Sequence, residues 1–337
     1  MVETNVHYPT DINLLYDAMR KLITLLAELC DRNGASDWRQ WAYNVRHVKR
    51  LMRAAQNKKR GKAQSKERQE QRQGLIAKAH EEYLAVAQAY LNKAGDTLAR
   101  LAQQGLNSPW DMVMKLQIEG FMDHAARQID QTRRRVILGE VIPHEQKVFS
   151  IFEPHTEWIS KGKAGVPVEL GIKVCILEDQ YQFILHHQVM QQQTDEQVAV
   201  SMVREAKKRH AQLSVCSFDK GFHSNENQNA LGEQLGQVVL PRKGKLSREA
   251  QQIEQSPEFI KARHKHSAVE SAINALEVHG LDRCPDHGVV GFKRYVALAV
   301  VTRNIHRIGA ILWLQEQERA KRKRKYSDRD TTYKLAA

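Results

Sequence analysis

Two carboxylates far apart in the chain could hold one metal ion. Asp219 directly follows a short apolar run, residues 213–218, that predicts a buried strand. Glu270 lies about 50 residues later, within a helical pattern of apolar residues. Carboxylate oxygens are the ligands that Mg²⁺ prefers. When a phosphodiester is cut, such a cation stabilises the negative charge on the attacking and leaving oxygens. The pair therefore predicts a metal-dependent phosphodiester site.

The residues around Asp219 suit a ligand site at a strand end. In open α/β sheets, residues at the carboxyl ends of strands face the crevice where ligands bind. Gly221 follows in the predicted turn and permits close backbone approach, and Ser224 can cap a helix whose first N–H groups could receive phosphate oxygens. This segment is expected to bring the Asp219 carboxylate beside a bound phosphate.

Residues 259–276 predict the helix that carries Glu270. Its buried stripe is expected to consist of Val269, Ile273 and Leu276. A polar face beside this stripe carries Arg263, His266, Glu270 and Asn274. That face suits a metal-plus-phosphate site, and an exposed face with Glu270 paired to His266 would produce the same pattern.

The charge of the chain favours a polyanionic partner. Lysine and arginine total 52 against 39 acidic residues, which gives a net charge of +13 and a pI near 9.5. The basic clusters at residues 46–68 and 319–325 lack the strongly apolar opposite face of a lipid-binding helix. Nucleic acid is therefore favoured over a membrane, although each cluster by itself could be a solvated surface.

The start of the chain and its cysteines indicate a cytoplasmic protein. Residues 1–7 lack the features of a signal peptide, and the longest apolar stretch, residues 296–301, is too short to span a bilayer. The four cysteines form no C-x-x-C pair, so neither a disulfide framework nor a zinc knuckle is indicated.

The periodicity of apolar residues divides the chain near residue 140. Helical spacing runs from Ile12 to Ile129, with Thr10 as the first cap. Beyond residue 140, residues 168–190 predict an antiparallel hairpin, followed by a helix capped by Thr194, the strand before Asp219, a helix capped by Ser224, and a strand at residues 238–240. This order predicts an α/β mixed sheet with flanking helices.

At these residues the chain resembles a known family. The segments are SFDKGFHSNEN (residues 217–227), the helix at 263–276, GFKRY (291–295), RNI (303–305) and FEPHT (152–156). Together they resemble DDE-type insertion-sequence transposases, whose catalytic domain has an RNase H-like fold. The resemblance implies an RNase H-like mixed sheet at residues 141–312, a large all-helical insertion at 11–140, a basic tail at 313–337, and a remnant of the first catalytic strand at 1–10.

The resemblance also implies an activity and its participants. Asp219 matches the second catalytic aspartate of the family, and Glu270 matches the glutamate that completes its metal site for Mg²⁺ or Mn²⁺. Such enzymes cleave and transfer strands at the double-stranded DNA ends of their own element. A nucleoid-associated location in a bacterial cytoplasm and a homo-oligomer are the corresponding expectations.

The amino end departs from the family pattern. MVETNVHYPTD (residues 1–11) resembles the segment just after the first catalytic aspartate of the family, so that aspartate is expected before Met1. The chain would then be a truncated transposase without its first metal ligand, which alone cleaves DNA poorly. Glu153, at the end of the apolar run 148–152, is a weak substitute, and Glu3 and Asp11 are weaker ones.

Several cations are candidates for contacts with the DNA backbone. Arg46, Lys49, Arg50 and Arg53 recur at spacings of three and four, so they share one side of a helix. Others are placed beside the predicted sheet or on the Glu270 helix: Lys161, Lys163, Arg242, Lys243, Lys245, Arg263 and His266. Contacts of this kind position the DNA backbone and read no sequence.

Two functions from different classes therefore remain. One is a metal-dependent transposase, indicated by the carboxylate pair within the motif set. The other is a noncatalytic DNA-binding protein or inhibitor, derived from a transposase, that pairs with the full-length enzyme.

Overall fold

The chain forms two compact units in the computed structural model. The structure describes residues 1–59, 65–106, 108–160, 168–266 and 268–335, and for 265, 266, 268 and 325–335 it describes only the backbone. Residues 6–154 form a helical unit, and residues 1–5 with 155–337 form a unit that contains the sheets. Residues 141–154 belong to the helical unit because Val148 and Ile151 pack in its core.

Four helices build the helical unit: α1 (Asp11–Arg32), α2 (Trp41–Lys58), α3 (Lys66–Gln104) and α4 (Pro109–Thr132). The predicted cap of α1 is confirmed, since the Thr10 hydroxyl accepts a hydrogen bond from Asn13 N at 3.3 Å. Ser108 caps α4 in the same way and Pro109 occupies its first turn. The core lies between α1 and the other three helices and contains Leu15, Leu22 and Leu26, all fully buried.

The helical spacing of apolar residues predicts that Trp38 and Trp41 both lie on one buried helix face, but only Trp38 is buried. Trp41 begins α2 and is 44% exposed, so its place on a buried stripe was predicted wrongly. Trp38 precedes the helix with a φ of 65° and is buried, and its Nε1 donates to Thr97 Oγ1 at 3.1 Å. A left-handed residue lies outside any helical period, so a helical pattern cannot place it.

The second unit contains a mixed five-stranded sheet. Its strands in chain order are β1 (Val2–Thr4), β2 (Glu157–Ser160), β3 (Val168–Glu178), β4 (Ile184–Met190) and β7 (Arg283–Cys284). Strand β3 is antiparallel to β2, β4 and β1, and β1 is parallel to β7 on its other side. Thr4 at the end of β1 is buried, and its hydroxyl lies 2.8 Å from that of Thr156.

The predicted hairpin at residues 168–190 is confirmed as β3 and β4. Asp179 forms the turn, because its Oδ1 accepts hydrogen bonds from Tyr181 N and Phe183 N, each at 2.9 Å. Gln182 completes the turn with a φ of 69°. The backbone at Asp179 therefore reverses the chain without a glycine.

A second, two-stranded parallel sheet follows the hairpin. It consists of β5 (Val215–Ser217) and β6 (Gln237–Val239), with α5 (Asp195–Arg209) before it and α6 (Asn225–Gln234) between its strands. The predicted start of α5 is confirmed, with Thr194 N donating to Gln197 Oε1 at 2.8 Å. So is the cap of α6, where the Ser224 hydroxyl accepts from Asn227 N at 3.1 Å.

Four helices complete the unit: α7 (Arg248–Glu254), α8 (Pro257–His266), α9 (Ala268–Leu276) and α10 (Gly288–Leu335). The predicted Glu270 helix coincides with α8 and α9. Its predicted buried stripe is wrong at Ile273, which is 40% exposed, whereas Ala272 is buried beside Leu276. No helix among the described residues is both long and apolar enough to cross a bilayer.

Candidate functional site

Asp219 lies at the carboxyl end of the parallel strand pair. Phe218 extends the pairing beyond β5, since its N donates to Val239 O at 2.9 Å and its side chain is buried. Asp219 itself is exposed and begins a single 3-10 turn, Lys220–Phe222. Its Oδ1 accepts a hydrogen bond from Lys220 N at 3.0 Å. The carboxylate is therefore held by its own turn at the surface.

Asp195 lies beside this turn and was missed as a candidate by the sequence analysis. A Cβ added at Gly221 would lie 2.7 Å from Asp195 Oδ2, so the two residues are in close contact. Asp195 is in the first turn of α5, and its Oδ1 is 3.7 Å from Lys173 Nζ. The only sequence signal was an acid after a helix cap, which is common for electrostatic reasons alone.

The basic turn after β6 lies beside the same segment. Lys243 forms an ion pair with Glu196, and Arg242 N donates to Glu254 Oε1 at 2.8 Å. Burial lowers the pKa of His223, and the positive charges of Arg242 and Lys243 lower it further. Residues 242 and 243 are therefore close to the turn that begins at Asp219, and Arg242, Lys243 and Lys245 are exposed.

Glu270 is an exposed residue of α9. Helix α8, which carries the exposed Arg263, packs against β5 and β6, whereas α9 packs against α10. The side chain of His266 lies outside the described residues. Within the described part of the chain, no three histidine, cysteine, aspartate or glutamate side chains come together as a possible metal site. Sharing of one ion by Asp219 and Glu270 therefore stays a prediction.

Glu153 is in different surroundings. Residues 148–153 have turn and irregular backbone, so no strand ends at this glutamate. It is only 4% exposed, and its backbone N donates to Ser150 Oγ at 2.9 Å. It belongs to the helical unit, whereas Asp219 and Glu270 belong to the unit with the sheets.

The arginines of α2 form a single exposed face. Arg46, Arg50 and Arg53 are exposed, and Val48, Met52 and Ala55 are buried on the other side of the helix. Lys49 is half-buried, with Nζ 5.9 Å from the centre of the Tyr16 ring. The predicted candidates Lys161 and Lys163 lie outside the described residues.

An open polar cleft of about 520 Å³ lies between β4 and α10. Its walls consist of His187, Gln188, Val189, Gln191, Gln193 and Lys293. No local sequence pattern predicts this cleft, because its residues come from segments about 100 positions apart. Three glutamines, a histidine and a lysine offer hydrogen bonds to a polar or anionic ligand.

Comparison of the chain with protein-family models, curated proteins and solved structures finds no match.

Proposed function

We propose that this protein is a metal-dependent DNA transposase of the DDE type, which cleaves and transfers strands at insertion-sequence ends. One observation carries the proposal: Asp219 is exposed at the carboxyl end of a parallel strand pair, and Gly221 of its turn contacts Asp195, whose neighbour Glu196 forms an ion pair with the basic Lys243. A surface carboxylate beside cations is the combination that a metal ion and a DNA phosphate require together.

The donor set fits a hard divalent cation. Asp219 and Glu270 would hold Mg²⁺ or Mn²⁺, since both are exposed carboxylates with oxygen donors. The bound cation would stabilise the charge on the oxygens of an in-line phosphodiester displacement. The backbone N–H of Lys220 orients the Asp219 carboxylate, and Arg242, Lys243 and Lys245 would bind the flanking phosphates.

An RNase H-like sheet is part of the same proposal. Its support is the order of elements: a hairpin of β3 and β4, then α5, then β5 ending at Asp219, then α6 and β6. Strand β1 lies between antiparallel β3 and parallel β7, so the five-stranded sheet is mixed. Strands β5 and β6 hydrogen-bond to each other in a separate sheet. In the proposed RNase H-like arrangement this pair would be joined to β1.

A second candidate function is DNA binding without catalysis. The exposed arginine face of α2 favours it, because no acidic side chain of the described residues pairs with Arg46, Arg50 or Arg53. Unpaired cations on one helix face attract phosphates without any need for a metal. In this function the protein would coat DNA or associate with an active transposase.

Metal binding and nicking together test the proposal. Asp219→Asn and Glu270→Gln remove ligand charge, whereas Glu258→Gln removes an exposed carboxylate from the first turn of α8 as a matched control. We expect Mn²⁺ binding to weaken at least about 10-fold in the first two variants and to stay unchanged in the third. The paramagnetic resonance signal of free Mn²⁺ measures this binding.

The same proteins are then incubated with supercoiled plasmid in Mg²⁺ or Mn²⁺. Metal-dependent nicking that disappears in Asp219→Asn and Glu270→Gln supports a transposase active site. DNA binding without nicking, together with equal Mn²⁺ binding by all variants, would replace the proposal by the second function.

A further inference from the structure

Helix α10 carries two apolar faces. The inner face packs on the five-stranded sheet through Phe292, Val296 and Val300, all of them buried. The outer face is exposed and consists of Leu298 (59%), Val301 (53%), Ile305 (60%), Ile308 (48%) and Leu312 (55%). One apolar face is enough to pack a helix on its own domain. The exposed outer face of α10 therefore requires a separate explanation.

The outer residues follow one another at spacings of three, four, three and four. This is the a and d pattern of a coiled-coil seam. At about 100° per residue the seam lies about 150° around the helix from the inner face, so packing on the sheet leaves it open. From Leu298 to Leu312 it is about 21 Å long.

The contacts of α10 with the hairpin come from a different side of the helix than the seam. Asn304 Nδ2 donates to Ile184 O at 3.0 Å, and Arg307 Nε donates to Tyr181 O at 2.8 Å. These bonds hold the middle of α10 while Ile305 and Ile308, next to them in sequence, remain exposed. The seam is therefore presented by an anchored part of the helix.

We propose that a second copy of this chain covers the seam, with the two α10 helices antiparallel about a twofold axis near Ile305. Such an interface is isologous, because each copy offers the same five side chains. The proposal goes beyond the proposed function and does not depend on it, since an inactive DNA-binding protein could dimerise in the same way.

Charge selects the antiparallel orientation. Residues 319–325 include six lysines and arginines, and a parallel pair would place both sets side by side. An antiparallel pair separates the two sets by the length of the seam. It also brings Glu316 of one copy to the level of Arg294 of the other, which is an exposed cation four residues before Leu298.

Sedimentation measures the association directly. The seam covers only about two heptads, so we expect a reversible dimer whose fraction rises between about 1 and 200 µM protein. Ile305→Glu places two carboxylates face to face at the axis and should leave a monomer throughout this range. Trp313→Glu is the matched control, because Trp313 is 59% exposed on α10 but lies about 110° away from the seam.

Disulfide trapping tests the orientation. In an antiparallel pair, Leu298→Cys and Leu312→Cys proteins should crosslink when mixed, whereas Leu312→Cys alone should not. A parallel pair would instead crosslink Leu312→Cys alone and would give only homodimers and no Leu298→Cys–Leu312→Cys heterodimer in the mixture, which would overturn the proposed orientation. The native thiols give little background, because Cys30 and Cys284 are buried and burial raises the pKa of Cys175 and Cys216 to about 12 each.

Two further results would overturn the proposal. One is a wild-type protein that remains monomeric at about 200 µM; if it also binds anionic phospholipid vesicles and Ile305→Glu does not, the occupant is a lipid surface. The other is an Ile305→Glu variant with an unchanged circular dichroism spectrum that still dimerises like the wild type. Loss of the dimer in Ile305→Glu but not in Trp313→Glu supports the seam.

Discussion

Asn304 and Ile184 form a reciprocal pair of hydrogen bonds. Ile184 N donates to Asn304 Oδ1 at 2.9 Å, and Asn304 Nδ2 donates to Ile184 O at 3.0 Å. The side-chain amide thus binds both backbone groups at the first residue of β4, as a neighbouring strand would. It joins α10 to the hairpin across 120 positions of sequence.

Replacing Asn304 should loosen this connection. Asn304→Ala leaves the part-buried Ile184 N–H and C=O without these partners, so we expect a loss of about 1–3 kcal/mol in the free energy of unfolding. Urea denaturation measures it. Asn274→Ala, at an exposed position of α9, is the control and should change the stability by less than about 0.5 kcal/mol. Equal effects of the two variants would contradict the role of the pair.

Two glycine substitutions should act in opposite directions. A Cβ at Gly171 would lie 2.0 Å from Val2 O, so Gly171→Ala must separate β1 from β3 and should cost at least about 1–3 kcal/mol. Gly232 is in α6 with open space around it, and Gly232→Ala should stabilise by about 0.5–1 kcal/mol. Thermal denaturation of both variants checks the signs. A neutral Gly171→Ala would show that β1 does not pair as described.

DNA affinity should depend on the arginine face of α2. Replacing Arg46, Arg50 and Arg53 together by Gln should make the slope of the logarithm of the DNA association constant against the logarithm of salt concentration shallower by up to about 3. Fluorescence anisotropy of a labelled duplex, titrated at several salt concentrations, gives this slope. The control changes three exposed cations of α3, Lys66, Arg68 and Lys78, so that net charge falls equally. Identical slopes in both triple variants would assign the effect to net charge.

Acidification should destabilise the fold through its buried and half-buried histidines. Burial is the main cause of a lowered pKa in the folded protein for His80, His124, His186, His187 and His223. The unfolded chain then takes up more protons near the ordinary pKa of 6.5, so stability is complete above that pH and falls as the pH drops through it.

His80 provides the specific test of this pH dependence. Its Nδ1 donates to Ile76 O at 2.7 Å, and its buried Nε2 has no partner among the described residues, so a second proton there has no acceptor. His80→Gln removes this titrating imidazole. When the pH is lowered from 7.5 to 5.5, the free energy of unfolding of the variant should therefore fall less than that of the wild type. Parallel pH curves for the two proteins would exclude His80 as a contributor.

Local patterns predicted the elements well where the signal lies within a few residues. The caps at Thr10 and Ser224 and the start of α5 depend on contacts three positions apart, and alternation along β3 is a property of one strand. The strand before Asp219 is confirmed in its place, because β5 ends two residues before it, but it is not buried as predicted, since Val215 is 50% exposed. These features are decided by neighbours in the chain.

Features that depend on distant partners were predicted less well. The pairing of β1 with β7 joins residues about 280 positions apart, and no local period encodes it. Ile273 is exposed and Ala272 is buried, although a hydrophobicity pattern ranks Ala272 lower. Asp195 reaches Gly221 through a tertiary contact, so its place beside Asp219 was equally hidden.

The position of β1 sets the order in which the nascent chain can fold. Residues 6–154 are continuous, so the ribosome releases every part of the four-helix core before most of the sheet is made. Strand β1 is made before this core, yet its parallel neighbour β7 follows about 280 residues later, which at about 5–20 residues per second is a wait of about 15–55 s. During translation β1 can therefore pair with β3 well before its other edge is covered by β7.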